Sequence, residues 1–171
     1  HPILSNQGEI YVINVDGTGL TRLTFNGVEE RAPSWSPDGT PIVFMTRRPG
    51  FIPGPGRSSF EIYVMNADGS NPERLTHTGG RNVRPAWSPD GTKIAFTSYR
   101  DGNGEVYVMN ADGSGLVNIT NHAADDEHPS WSPDGKWIVF DSPVDGNTDI
   151  HIIRADGGGP RRLAPEPSVH P

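Results

Sequence analysis

Trp87-Ser88-Pro89-Asp90-Gly91 decides the fold of this chain, because it is one of three copies. The others are Trp35-Ser36-Pro37-Asp38-Gly39 and Trp131-Ser132-Pro133-Asp134-Gly135. A second block accompanies it: Glu9-Ile10-Tyr11-Val12, Glu61-Ile62-Tyr63-Val64, Glu105-Val106-Tyr107-Val108 and the diverged Asp149-Ile150-His151-Ile152. Each copy of that block runs into an Asp-Gly pair, at Asp16-Gly17, Asp68-Gly69, Asp112-Gly113 and Asp156-Gly157. A short segment then ends in Leu23-Thr24, Leu75-Thr76, Ile119-Thr120 or Leu163-Ala164. The second blocks start 52, 44 and 44 residues apart, and the longer interval carries a Pro/Gly-rich insertion at 49–56.

Each repeat reads as four strands. Strand a carries Pro-x-Trp-Ser, and Ser-Pro-Asp-Gly turns the chain, with proline presetting φ and glycine free to take the left-handed conformation. Strand b follows, as in Lys93-Ile94-Ala95-Phe96. Strand c is the Glu-Ile-Tyr-Val block, and the Asp-Gly hairpin leads to strand d. Strands b and c are nearly continuous apolar runs, which fits sheets covered on both faces. Four strands in about 44 residues is the period of a β-propeller blade. The sequence therefore predicts an all-β propeller of about four four-stranded blades in one domain over 1–171, with units at 1–31, 32–83, 84–127 and 128–171. The first blade is incomplete.

Composition agrees. Glycine and proline make up 38 of 171 residues, too many for long helices. The hydrophobic fraction of 33% omits 21 glycines, and with them the chain is ordinary globular material. A net charge of −7 argues against a nucleic-acid binder, which needs a basic face to displace counterions. No apolar run approaches the roughly 20 residues of a membrane-spanning helix. The absence of cysteine excludes disulfides, thiolate metal sites and a cysteine nucleophile. His1 in place of methionine points to a processed or trimmed chain.

The Trp-Ser-Pro-Asp-Gly motif and the stretch Glu105 to Ser114, Glu-Val-Tyr-Val-Met-Asn-Ala-Asp-Gly-Ser, resemble the repeats of TolB-type propellers over essentially the whole chain. The resemblance implies a periplasmic or envelope-associated protein. It is specific for fold and weak for function, because similar repeats occur in scaffold proteins, in propellers of oligopeptidase-like enzymes and in some polysaccharide lyases. Function has to come from the site.

Short, uniform turns join a to b and c to d, so both lie on one face of the disc. The longer, variable b-to-c and d-to-a connections lie on the other, where binding usually resides. Arg47, Arg48, Arg57, Arg81 and Arg84 make the early connections basic; Asp125, Asp126 and Glu127 make the later ones acidic. With Phe51 at the tip of the insertion and His128, these form the candidate binding set, suited to a protein or peptide partner of mixed charge.

Catalytic and metal signatures are weak. His122, Asp125, Asp126, Glu127 and His128 are ligand-type residues, but neighbouring connections lack matching ligands, so a solvated loop with turn-capping aspartates is expected. Asp145-Gly146-Asn147-Thr148-Asp149 starts like a calcium loop but lacks its sixth-position glycine. No Gly-x-Ser-x-Gly elbow is present, and the insertion lacks the end of a phosphate loop. No cofactor, metal or catalytic residue is assigned. Trp35, Trp87 and Trp131 recur in register and read as core between blades; Trp137, outside that register, reads as packing on the next blade.

The expected function is thus a non-enzymatic binding or scaffold propeller. The alternatives are the propeller portion of a larger oligopeptidase-like enzyme, or a small carbohydrate-active propeller. The tail from Pro165 offers either a weak clasp that closes a four-blade ring, or an open arc that pairs with a second copy.

Overall fold

The structure is a computed structural model that describes residues 8–47, 60–77, 80–143, 148–159 and 161–163. Among these residues there is no helix. The first sheet holds β1 (Tyr11–Val12) and β2 (Thr21–Arg22). The second holds β3 (Glu30–Trp35), β4 (Pro41–Arg47), β5 (Phe60–Asn66) and β6 (Glu73–Arg74). The third holds β7 (Asn82–Trp87), β8 (Lys93–Ser98), β9 (Glu105–Asn110) and β10 (Val117–Asn118). The fourth holds β11 (Glu127–Trp131), β12 (Trp137–Ser142), β13 (Asp149–Arg154) and β14 (Arg161–Arg162). Every sheet is an antiparallel meander in chain order, as a propeller blade requires. The tail from Pro165 that would form the clasp lies outside the described residues, as do residues 1–7.

The two turn types fold as their residues dictate. In Ser-Pro-Asp-Gly the Asp90 carboxylate accepts from the Ser88 hydroxyl at 2.6 Å and the Thr92 amide at 3.0 Å, while Gly91 takes φ +71°. In the hairpin, Asp112 accepts from the Ser114 amide at 2.9 Å and Gly113 takes φ +83°. The Ala111 amide donates to the Thr92 carbonyl at 2.9 Å, and the same bond recurs from Ala67 to Thr40 and from Ala155 to Lys136. These bonds put both tight turns of a sheet on one face.

Cores lie between sheets. Ile10 and Leu23 pack with Ile42, Phe44 and Met65 across the first boundary. Val43, Ile62 and Leu75 meet Ile94, Phe96 and Met109 across the second, and Val106, Val108 and Ile119 meet Ile138, Phe140 and Ile153 across the third. In β8, Ile94 to Ser98 are all buried, as the continuous apolar pattern predicts. In β12 buried Ile138, Phe140 and Ser142 alternate with half-buried Trp137, Val139 and Asp141. The difference is a neighbour on one side only.

The expectation of interblade core holds for Trp87 and Trp131, which pack against the second and third interblade clusters, and fails for Trp35. Trp87 and Trp131 are half-buried and Trp35 is exposed. Trp131 Nε1 donates to the Ala86 carbonyl of the preceding sheet at 3.1 Å. With their prolines the three tryptophans line a depression of about 310 Å³ at the tight-turn face. Trp137 does not pack on a following sheet among the described residues; it flanks Lys136, Arg154 and Asp156.

Strands d are two residues long, so the c–d ladder needs another lock. Thr24, Thr76 and Thr120 supply it. Each hydroxyl accepts from a strand-c amide (Ile10, 2.9 Å; Ile62, 2.9 Å; Val106, 3.0 Å) and donates to the strand-c glutamate, Glu9, Glu61 or Glu105. Thr76→Val keeps the shape and leaves buried Glu61 short of a donor. It is expected to cost about 2 kcal/mol in urea unfolding, whereas Thr21→Val, exposed on β2, should change stability by less than about 0.5 kcal/mol.

Candidate functional site

The b-to-c and d-to-a connections meet on the face opposite the tight turns. The Tyr99 amide donates to the Arg81 carbonyl at 2.9 Å, and the Asp126 amide to the Gly104 carbonyl at 2.7 Å. At the second sheet, Glu29 pairs with Arg47 at 2.9 Å and with Arg31, and both guanidiniums lie over the Phe60 ring. The early connections are therefore less basic than Arg47 alone implies. Arg48, Phe51 and Arg57 lie outside the described residues.

Most of the remaining candidates converge between the third and fourth sheets. Arg81 stacks on Tyr99 at 4.5 Å, and the Tyr99 hydroxyl donates to Glu127. Burial, with that carboxylate beside it, pushes the Tyr99 phenol up to about 12. Asp125 accepts from the Gly104 amide at 2.7 Å. His128 Nδ1 lies 2.9 Å from Asp141 and its Nε2 3.9 Å from Glu127. Asn103 Nδ2 lies 2.8–2.9 Å from Glu105 Oε1 and the carbonyls of His122 and Ala124, which ties the two connections together.

Arg84 and His128 occupy a special backbone position. Strand a bulges once in each four-stranded sheet, between Arg31 and Ser34, Val83 and Ala86, and Glu127 and Ser130. The residue on the bulge has positive φ in all three: Ala32 +48°, Arg84 +58° and His128 +56°. Glycine would take this conformation without strain, whereas other residues strain there by about 1–2 kcal/mol. The bulge turns these side chains out of the strand pattern.

Asp126 corrects the expectation of a solvated loop. It is fully buried, with Oδ2 3.0 Å from His122 Nε2. Nor do neighbouring connections lack counterparts: Glu30 and Asn82 hold the same register and are equally buried. Asn82 Nδ2 donates to Glu61 at 3.0 Å across the sheet boundary, and its Oδ1 accepts from Ser98 at 2.8 Å and Arg100 at 3.1 Å. In the other two repeats an acid stands where Asn82 does. Burial first, and then the negative charge of Glu105, raises Asp126; burial first, with Glu9 adding, raises Glu30. The signal for this ladder was the recurrent Glu of strand c and Thr of strand d. The buried third member was illegible because it varies among Glu, Asn and Asp. Among the described residues no three His, Asp or Glu side chains converge as metal ligands. A separate cleft of about 430 Å³ opens at the tight-turn end between the third and fourth sheets, lined by Lys93, Val108, Val117, Ile119 and Trp131.

The two kinds of carboxylate titrate in opposite senses. Hydroxyl and amide donors hold the turn aspartates, Asp38, Asp90 and Asp134 among them, below the ordinary value. Their contribution is present above the unfolded carboxylate value and lost as pH falls through the lowered one. For Asp126, raised above its ordinary 3.8, the contribution is present below that value and lost as pH rises through the folded one. Asp126→Asn copies the middle repeat. It is expected to be more stable than the parent at pH 8 in urea titrations, with the gap closing toward pH 4; a constant gap would place the effect elsewhere.

Comparison with known proteins bears on the fold and the family. The TolB beta propeller domain matches residues 55–116 and 80–169. The Tol-Pal system protein TolB of Desulfosudis oleivorans is 47% identical over 64 residues, 37% of this chain and 14% of that protein. A TolB homolog of Chlorobium luteolum is 35% identical over 129 residues, 56% of this chain and 30% of that protein. The chain thus matches less than a third of the length of these relatives. The solved structure of a putative TolB from Agrobacterium tumefaciens superposes with a TM-score of 0.79 at 30% identity, covering 95% of this chain and 58% of that one. An oligogalacturonate lyase in complex with manganese superposes at 0.72 and 15% identity over 94% of this chain and 49% of that one, a likeness of fold alone. The repeats, the meandering sheets and these matches agree, and the chain belongs to the TolB beta propeller domain family.

Proposed function

We propose that this chain is a non-enzymatic scaffold whose loop face receives a protein or peptide partner, as the propeller part of a periplasmic Tol-Pal system protein. The names of its relatives supply the setting. The observation that carries the reading is the strained bulge. Arg84 and His128 stand at backbone positions where glycine would be relaxed, on the face where the variable connections meet. Non-glycine residues held at such positions are characteristic of binding surfaces.

The surface around them has mixed charge. Arg81 and Arg84 border Asp125, Glu127 and Asp141, an arrangement suited to a partner that carries both signs. A polyanion would meet the carboxylates, and the net charge of −7 opposes it further.

The test uses purified Pal protein and calorimetry. Arg84→Gly and His128→Gly are expected to keep or slightly raise the melting temperature, since they release backbone strain, and to weaken binding about tenfold. Lys136→Ala, on the tight-turn face, should bind like the parent. Full binding by both glycine variants, with loss in Lys136→Ala, would assign the opposite face.

A further inference from the structure

A strand-c glutamate stands at each seam between sheets, and the repeat shows what each is given. Glu9 has Arg22 at 2.6 Å, and Glu61 has Arg74 at 2.7 Å. Asn118 occupies the register of those arginines at the seam between the third and fourth sheets. Its side-chain carbonyl accepts from the Thr120 and Asn121 amides at 3.1 Å. Glu105 is therefore served by neutral donors: the Thr120 hydroxyl, Asn103 Nδ2 at 2.9 Å and the His122 amide at 3.1 Å.

The residue that faces this glutamate from the next sheet differs as well. Asn82 gives Glu61 an N–H, whereas Asp126 offers Glu105 a second carboxyl group. Asp126 is fully buried, and neither of its oxygens has an aligned donor among the described residues. The hydroxyl of Ser142, which holds the register of Ser98, is buried and unpaired too. His122 supplies no full charge. The Ala124 amide donates to its Nδ1 at 3.2 Å, so the ring keeps its proton on Nε2 and faces Asp126 as a neutral group. The remaining neighbours are Thr120 and, beyond Ser142 in the ladder, Asp149 of β13.

Two facing carboxylates without a cation between them do not both stay ionised out of water. One proton resolves the seam. On Asp126 it makes an O–H that donates to Glu105, as Asn82 Nδ2 does to Glu61. It leaves a carbonyl oxygen for Ser142, as Asn82 has for Ser98. The orphaned oxygens are then paired. Burial first, with Glu105 adding, raises the Asp126 carboxyl, in agreement.

We propose that a proton held between Glu105 and Asp126 latches the connection 121–128 onto the third sheet, and that its loss frees the segment carrying Asp125, Glu127 and His128. With the proton gone, two negative charges oppose each other in a seam otherwise closed by Asn103 and by the Asp126 amide on the Gly104 carbonyl. The latch holds at low pH and opens as pH rises through the raised folded value.

Carboxyl-carbon NMR titration and hydrogen exchange of the full chain, between about pH 4 and pH 9, test this. Asp126 is expected to titrate above its ordinary 3.8. Amide protection across 121–128, corrected for intrinsic exchange, should fall about tenfold or more as that proton leaves. Asp126→Asn copies Asn82 and should keep its protection throughout. His122→Asn removes the other titrating group of the connection and should keep the parent's dependence on pH. An Asp126 that titrates at its ordinary value, parent protection indifferent to pH, an equal fall in Asp126→Asn, or loss of the dependence in His122→Asn would each overturn the proposal. Its consequence for binding rests on the reading of the loop face as the partner surface: Pal affinity should fall over the same range in the parent and stay level in Asp126→Asn. Pal that binds neither protein at any pH would remove that reading, while the exchange profile decides the latch by itself.

Discussion

A glutamate at the head of strand c, buried in the second and third sheets as Glu61 and Glu105, is the constraint around which those sheets are arranged. Taking a carboxylate out of water is costly unless donors surround it. Glu61 has Arg74 at 2.7 Å, Thr76 at 2.5 Å and Asn82 at 3.0 Å. Those three donors come from strand d, the second residue after it, and strand a of the next sheet. One side chain thereby holds a two-residue strand in place and fixes the following blade. Charge-assisted bonds of this kind are stronger than neutral ones, which lets so short a strand d persist.

The same seam explains why the repeats diverge where they do. Asn82 is a neutral donor toward Glu61, and its carbonyl is free to accept from Ser98 and Arg100. Glu30 and Asp126 face Glu9 and Glu105 instead, and burial disfavours their ionised forms. His122 beside Asp126 offsets part of that cost. Three chemically different residues thus solve one packing problem, and the two acids bring a dependence on pH that Asn82 does not have.

Rigid turns on one face and variable connections on the other divide the labour within the fold. The tight turns are closed on themselves, each aspartate saturated by neighbouring hydroxyls and amides. The opposite face spends many polar groups on internal bonds, yet keeps Arg84 exposed and His128 and Asp141 partly so. Loops on a rigid scaffold can vary without unfolding it, and the strained bulge shows that the scaffold also fixes where two of those side chains emerge.

The sequence alone determined the repeat, the four-strand order and the two turn types, because these depend on local chemistry. Proline, glycine and aspartate at fixed offsets leave the chain few conformations, and nearly continuous apolar runs place strands b and c. It also marked Asp125 to His128 as a charged segment. Only the tertiary structure decided that Asp126 is buried while Glu127 and His128 remain partly exposed, since burial there depends on Gly104 arriving from another connection, with His122 of the same connection closing over the carboxylate. It likewise decided the fate of the tryptophans. Trp131 and Trp35 have the same local sequence, but Trp131 meets the Ala86 carbonyl of the preceding sheet and Trp35 stays exposed. A residue in a repeat is buried by the neighbouring copy, and no local pattern records whether that neighbour is there.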